Sequence, residues 1–158
     1  MNAISDSITR GELIDLLNAD LALEVDAVNR YATASRLVVG TENAHLSSLL
    51  KAHADIELAH AVRIAGEIDL LGGSPWLPPI PGFMTDKPAE LLRGHVAAEA
   101  FAIERYNQRI SQCIALGEHK LADCYRELLM QEQDKLASLV GALATSVDCG
   151  YAVVACRQ

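Results

Sequence analysis

Glu57-Leu58-Ala59-His60 places a carboxylate and an imidazole three residues apart, and on a helix that spacing brings both side chains to one face, one turn apart. Oxygen and imidazole donors together suit a cation such as iron or manganese. Three further glutamates share this register. Glu24 and Glu57 have their midpoint at Gly40-Thr41, and Glu99 and Glu132 have theirs at Ala115-Leu116, beside Gly117. Helices rise about 1.5 Å per residue, so residues equidistant from the turn of an antiparallel hairpin lie level with each other. Each hairpin therefore carries two glutamates at one height, and pairing two such hairpins brings all four together.

Each of these glutamates also sits in an apolar stripe with 3-4 spacing. The stripes are Leu17, Leu21, Glu24, Val28 and Tyr31; Leu50, His53, Glu57, His60 and Ile64; Leu92, Glu99, Ile103, Tyr106 and Ile110; and Tyr125, Leu129, Glu132, Leu136 and Leu139. Such stripes face a core, so four carboxylates point inward. A buried carboxylate either takes up a proton or finds a cation. A pair of divalent or trivalent metal ions, bridged by carboxylates and completed by imidazole, supplies that charge. The alternative is a metal-free ion network in which Lys135, one turn after Glu132, neutralises the acids.

The elements that must position these residues follow from the same periodicity, which runs from Thr9 to about Thr145. Thr9 with Glu12 forms a capping-box start. Gly40-Thr41, the segment Gly72-Gly73-Ser74-Pro75-Trp76-Leu77-Pro78-Pro79-Ile80-Pro81-Gly82, and Gly117 interrupt the pattern. Thr85 or Asp86 would cap a third helix with Pro88 in its first turn. The reading is all-α and a single domain over 1–158: helices at about 9–39, 42–71, 87–116 and 118–145, a long crossover between the second and third, and a short tail. An internal repeat at an offset of 75 residues supports two equivalent hairpins. Glu24 and Tyr31 correspond to Glu99 and Tyr106, Arg30 to Arg105, Glu57 to Glu132 and Gly66 to Gly141.

Composition narrows the function classes. With 158 residues, 51% of them hydrophobic, the chain buries roughly 70% of its unfolded surface and is not disordered. Only 4% aromatic residues, with abundant Ala and Leu, disfavour an all-β fold. A net charge of -8 argues against nucleic acid or an anionic membrane as partner. No apolar run approaches the roughly 20 residues that cross a bilayer, and Met1-Asn2-Ala3-Ile4-Ser5-Asp6-Ser7 does not read as a secretory signal, so a cytoplasmic address is expected. Cys113, Cys124, Cys149 and Cys156 have no CxxC spacing and read as buried apolar groups.

Taken in order, Glu24, Tyr31, Glu57-x-x-His60, Glu99 and Glu132 resemble the di-iron site of the ferritin-like superfamily, bacterioferritins in particular. The resemblance runs from about Ile14 to Ala144 and includes the Leu71-Gly72-Gly73-Ser74-Pro75 loop. It implies a ferritin-like four-helix bundle whose metal ligands are Glu24, Glu57, His60, Glu99 and Glu132, with no catalytic residue beyond them. Tyr31, Tyr106 and Lys135 would stand around these ligands. Iron is the implied metal, with manganese or zinc as alternatives. The implied activity is ferroxidase, Fe(II) oxidation by dioxygen, with a homo-oligomer, dimer or larger, as the assembly. The chain departs from the pattern at Lys135, where the family has histidine in a second Glu-x-x-His, so an altered site is expected. It departs again at Leu58, where bacterioferritins carry the methionine that binds haem, so haem is not expected. The tail Ser146 to Gln158 is short for the extra helix of ferritin cages. His95, one turn before Glu99, and the similarly placed His53 are minor candidates for the place of the missing histidine. A metal-free scaffold acting through oligomerisation or partner binding, and a di-metal oxygenase, are the competing functions.

Overall fold

The computed structural model describes residues 8–38, 40–77 and 87–155, with residue 42 and the last nine of these described by backbone only. Four helices make up the fold: α1 Arg10–Leu37, α2 Ala44–Leu70, α3 Pro88–Ala115 and α4 His119–Ala155. Thr9 starts α1 through the expected capping box. Its backbone N–H donates to Glu12 Oε2 at 2.7 Å, and Glu12 N–H donates to Thr9 Oγ1 at 3.2 Å. Gly40 and Gly117 stand at the two hairpin turns with φ of 102° and 75°, the left-handed region that a side chain disfavours.

Two boundaries differ from expectation. The N-cap position of α3 is Lys87, with Pro88 opening the helix; Thr85 and Asp86 lie outside the described residues, as does 78–86 of the crossover. The fourth helix does not stop near 145 but continues to Ala155. No proline interrupts Ser146 to Ala155, and one glycine, Gly150, costs a helix interior only about 1 kcal/mol relative to alanine.

Contacts between side chains fix the helix directions. Tyr31 meets Glu99 while Tyr106 meets Glu24, so α1 and α3 run antiparallel. Lys135 meets Glu57 while His60 meets Glu132, so α2 and α4 do too. Close backbone approach is concentrated within the hairpins α1–α2 and α3–α4. With α2 and α3 pointing the same way, the crossover must span the length of the bundle. Asn18 fastens its beginning, donating from Nδ2 to the Ser74 carbonyl and accepting the Trp76 N–H at 2.6 Å. Gly73 packs so closely here that an added Cβ would lie 2.7 Å from Ile14 Cγ2.

The core has two apolar parts. One holds Leu13, Leu17, Leu21, Ile64, Ile68, Tyr125 and Leu128, the other Tyr31, Ala34, Leu46, Leu50, Leu92 and Leu139. Between them lies a layer of buried charge: Glu24, Glu57, His60, Glu99, Glu132 and Lys135, none more than 5% exposed. Among the described residues, no helix is long and apolar enough to cross a membrane.

Candidate metal centre

All four helices contribute to the buried layer, and the stripe positions of the four glutamates are what turn it inward. One oxygen each from Glu24, Glu57 and Glu132 lies with a His60 ring nitrogen in a group whose atoms are all within 4.8 Å of one another. His60 Nδ1 stands 2.8 Å from Glu132 Oε1, 3.4 Å from Glu57 Oε2 and 3.5 Å from Glu24 Oε2. These approaches are off the line of a hydrogen bond. Glu24 Oε2, Glu57 Oε2, His60 Nδ1 and both Glu132 oxygens are buried without a hydrogen-bond partner. Orphaned buried polar atoms are rare and costly, and four of these, one from each residue, converge on one point, while Glu132 Oε2 turns toward the Lys135 ammonium.

This donor set fits a metal ion. Donors on opposite sides of a cation with bonds of about 2.1 Å are about 4.2 Å apart, and the group needs to contract only slightly to reach that span. Hydrogen bonds from outside already orient the ligands. Gln131 Oε1 lies 2.6 Å from His60 Nε2, so an Nε2–H donor leaves Nδ1 to face the centre. The Tyr106 hydroxyl donates to Glu24 Oε1.

Glu99 and Lys135 form the other side. Lys135 Nζ salt-bridges Glu57 Oε1, Glu132 Oε2 at 2.7 Å and Glu99 Oε2 at 3.1 Å. The Tyr31 hydroxyl donates to Glu99 Oε1. Glu99 is therefore held from both oxygens and lies outside the group of four around His60. Neither His53 nor His95, the minor candidates from the sequence, joins that group. His95 stacks on the Tyr31 ring at 4.0 Å between centroids, and His53 meets the ring edge at 5.3 Å while bonding Ser138.

Electrostatics follow from this packing. Burial pushes the Glu24 carboxyl up to about 7 and the Glu99 carboxyl up to about 9, the latter helped by its proximity to Glu132. Burial also opposes ionisation of Glu132, but His60, Glu99 and Lys135 outweigh it and hold this carboxyl down at about 2. Glu57 is likewise lowered against its burial, chiefly by His60. For His60 the carboxylates overcome burial and push the imidazole up to about 12. Without metal, two carboxylates thus face two cations, His60 and Lys135.

Sequence reading missed one supporting cluster. Asp20 is fully buried one turn before Glu24 and accepts from Arg105, from Arg109 Nε at 2.7 Å and from the Tyr125 hydroxyl at 2.8 Å. Tyr125 packs edge-on against Tyr106 at 5.0 Å, so the cluster buttresses the tyrosine that holds Glu24. The signal was present: Asp20 lies four residues before Glu24 in the same stripe, and Arg105 and Arg109 are spaced by four.

Among the described residues, a cavity and a cleft reach the layer. A cavity of about 60 Å³ touches Glu24, Glu57, Glu99, Glu132 and Tyr106, room for a few waters or a small diatomic molecule. A cleft of about 520 Å³ between α2 and α4 is lined by His53, Asp55, Ile56, Asp134, Lys135 and Ser138. Cys113 and Cys124 are buried free thiols in the first core part, where burial pushes both up to about 11.

Comparison with known proteins agrees with this geometry. A family model described as Ferritin-like domain matches residues 14–147. Among solved structures, a ferritin-like, diiron-carboxylate protein from Bacillus anthracis str. Ames is 28% identical with a TM-score of 0.80, over 85% of this chain and 96% of that one. A dodecameric thioferritin, the bacterioferritin-related protein from Bacteroides fragilis, is 25% identical with a TM-score of 0.82 over 92% of each chain. A mycobacterial bacterioferritin superposes with a TM-score of 0.81 at 24% identity, over 92% of this chain and 91% of that one. A search of curated protein sequences found no match. With the bundle, the inward carboxylate layer and the matched span in agreement, the chain belongs to the ferritin-like family.

Proposed function

We propose that the chain takes up Fe(II) at Glu24, Glu57, His60 and Glu132 and oxidises it with dioxygen, as an iron-handling protein. The observation that carries this reading is the convergence of four buried donor atoms without a hydrogen bond, one from each of those residues. Oxygen and imidazole donors suit iron, with manganese or zinc as competitors. Bound Fe(II) supplies one electron per ion to dioxygen. The chain's own part is binding and shielding. Gln131 fixes the His60 tautomer, Tyr106 holds Glu24, and the apolar core parts on either side keep bulk water out. The small cavity beside the four glutamates admits the oxidant. The reading also takes the chain as one subunit of a homo-oligomer: the Bacteroides fragilis relative is a dodecamer, and Leu58, Val62 and Leu70 on α2 with Trp76 are exposed apolar side chains.

Anaerobic loading with Fe(II) followed by admission of dioxygen tests it. The parent should form ferric iron faster than buffer, and His60→Ala should fall to the buffer rate. A parent no faster than buffer refutes the activity. One observation favours a second reading, a metal-free scaffold: the two cations Lys135 and His60 already balance Glu57 and Glu132. Elemental analysis after iron loading separates the two, since a scaffold retains no metal.

A further inference from the structure

The centre has two sides, and the repeat relates them. Shifting by 75 residues takes Glu24 to Glu99, Tyr31 to Tyr106 and Glu57 to Glu132, but His60 to Lys135. The carboxylates respect the same division. Glu57 turns Oε2 toward His60 and Oε1 toward Lys135; Glu132 turns Oε1 toward His60 and Oε2 toward Lys135. Each therefore spans two cation positions, as a carboxylate bridging two metals would. The His60 position is lined by unpartnered atoms and the other is filled by an ammonium. That ammonium is 2% exposed, has three N–H donors and faces three carboxylate oxygens, from Glu57, Glu99 and Glu132. Glu99 has no oxygen left over, because Tyr31 takes the second.

We infer that the Lys135 ammonium permanently fills the second cation position, so that the centre binds a single divalent metal ion, held by Glu24, Glu57, His60 and Glu132. The inference rests on the metal-binding reading above and specifies its stoichiometry. Side-chain length explains why lysine does this where histidine would not. Imidazole ends at a neutral nitrogen with the metal a further bond of about 2 Å away. Lysine spends that distance on its own stem and arrives already charged. The Tyr31 ring, 5.9 Å from Nζ, gives the cation an aromatic face as well. Glu57 and Glu132 then bridge one metal ion and one ammonium.

The test uses Mn(II) added without oxygen to the purified full chain, with bound metal counted by elemental analysis and calorimetry. The parent should take one tight equivalent and show a mononuclear Mn(II) paramagnetic resonance spectrum. Lys135→His should take two and show the exchange-coupled spectrum of a metal pair. Two equivalents in the parent, or one in a folded Lys135→His, overturns the inference and leaves metal binding standing. None in the parent refutes metal binding itself, and the inference with it. Should Lys135→His fail to fold, anomalous scattering from crystals of the Mn(II)-loaded parent decides alone. A single peak beside His60, with Lys135 Nζ still on Glu57, Glu99 and Glu132, upholds the inference. A second peak at the Lys135 position overturns it.

Discussion

The His60 side and the Lys135 side of the buried layer are built from one pattern and differ in how their charge is met. On the His60 side, oxygens of Glu24, Glu57 and Glu132 gather round an imidazole at 2.8 to 3.5 Å without a hydrogen bond. On the Lys135 side every carboxylate oxygen has an ammonium or a phenol. The contrast teaches that one residue at a repeat-related position converts half of a symmetric cation site into a permanent ion pair. It also separates the roles proposed for the two sides: a metal position on one, and on the other an ion pair that joins the hairpins.

The largest effect should come from removing the ammonium. Lys135→Met leaves Glu57 and Glu132 without their partner in the interior, and breaking a buried pair in this way costs about 3–5 kcal/mol. Urea unfolding of the metal-free variant in chelator measures it. A loss below about 1 kcal/mol would show that the carboxylates on that side do not depend on Lys135.

The two tyrosines give a finer version of the same comparison. Tyr106 orients Glu24, a residue of the metal-facing group, so Tyr106→Phe should weaken Mn(II) binding about 10–100-fold. Tyr31 serves Glu99 on the ammonium side. Tyr31→Phe should leave Mn(II) affinity unchanged and lower stability by about 1–3 kcal/mol, the cost of an unsatisfied buried acceptor. Calorimetric titration of both variants, with melting curves, checks the split. Equal losses of affinity would erase the distinction between the sides.

The smallest effect is on pH dependence. Glu24, Glu99 and His60 have folded values raised to about 7, 9 and 12, so each contributes stability that is full below its unfolded value and is lost as pH rises through the folded one. Glu57 and Glu132 are lowered, and their contribution is present above about 4.5 and lost in acid. Burial lowers His53 and His95 to about 4, so their contribution grows up to about pH 6.5 and offsets the decline from Glu24 and Glu99 below that point. The metal-free chain should therefore hold its stability from about pH 5 to 6.5 and melt at progressively lower temperature from pH 6.5 to pH 9. Saturating Mn(II) should flatten that decline, because the metal replaces the protons. A metal-free melting temperature that rises over this range contradicts the assigned directions.

The helices and the level of the four glutamates were legible because both depend on local spacing: stripes set the face, and distance from a turn sets the height. The Glu57-x-x-His60 pair needed only one helix. Which oxygen faces which cation was not legible, since it depends on how two hairpins meet. The crosswise bonds from Tyr31 to Glu99 and Tyr106 to Glu24 join residues 68 and 82 positions apart. Asp20 was overlooked although it lies in the same stripe as Glu24, because its partners Arg105, Arg109 and Tyr125 come from other helices. His53 and His95 were recognisable as stripe residues, but only packing shows that they flank a tyrosine ring. The length of α4 was misjudged because the helical periodicity was taken to end at about Thr145.

The charged layer also sets an order of events in folding. Each hairpin is built from near neighbours in the chain, whereas the layer is completed only when the hairpins meet. Until then its acids are hydrated. Joining the hairpins must strip that water, so the docking step, and not helix formation, carries the cost of the centre. Refolding should accordingly show early helix that is indifferent to pH and metal, followed by a docking phase that Mn(II) accelerates.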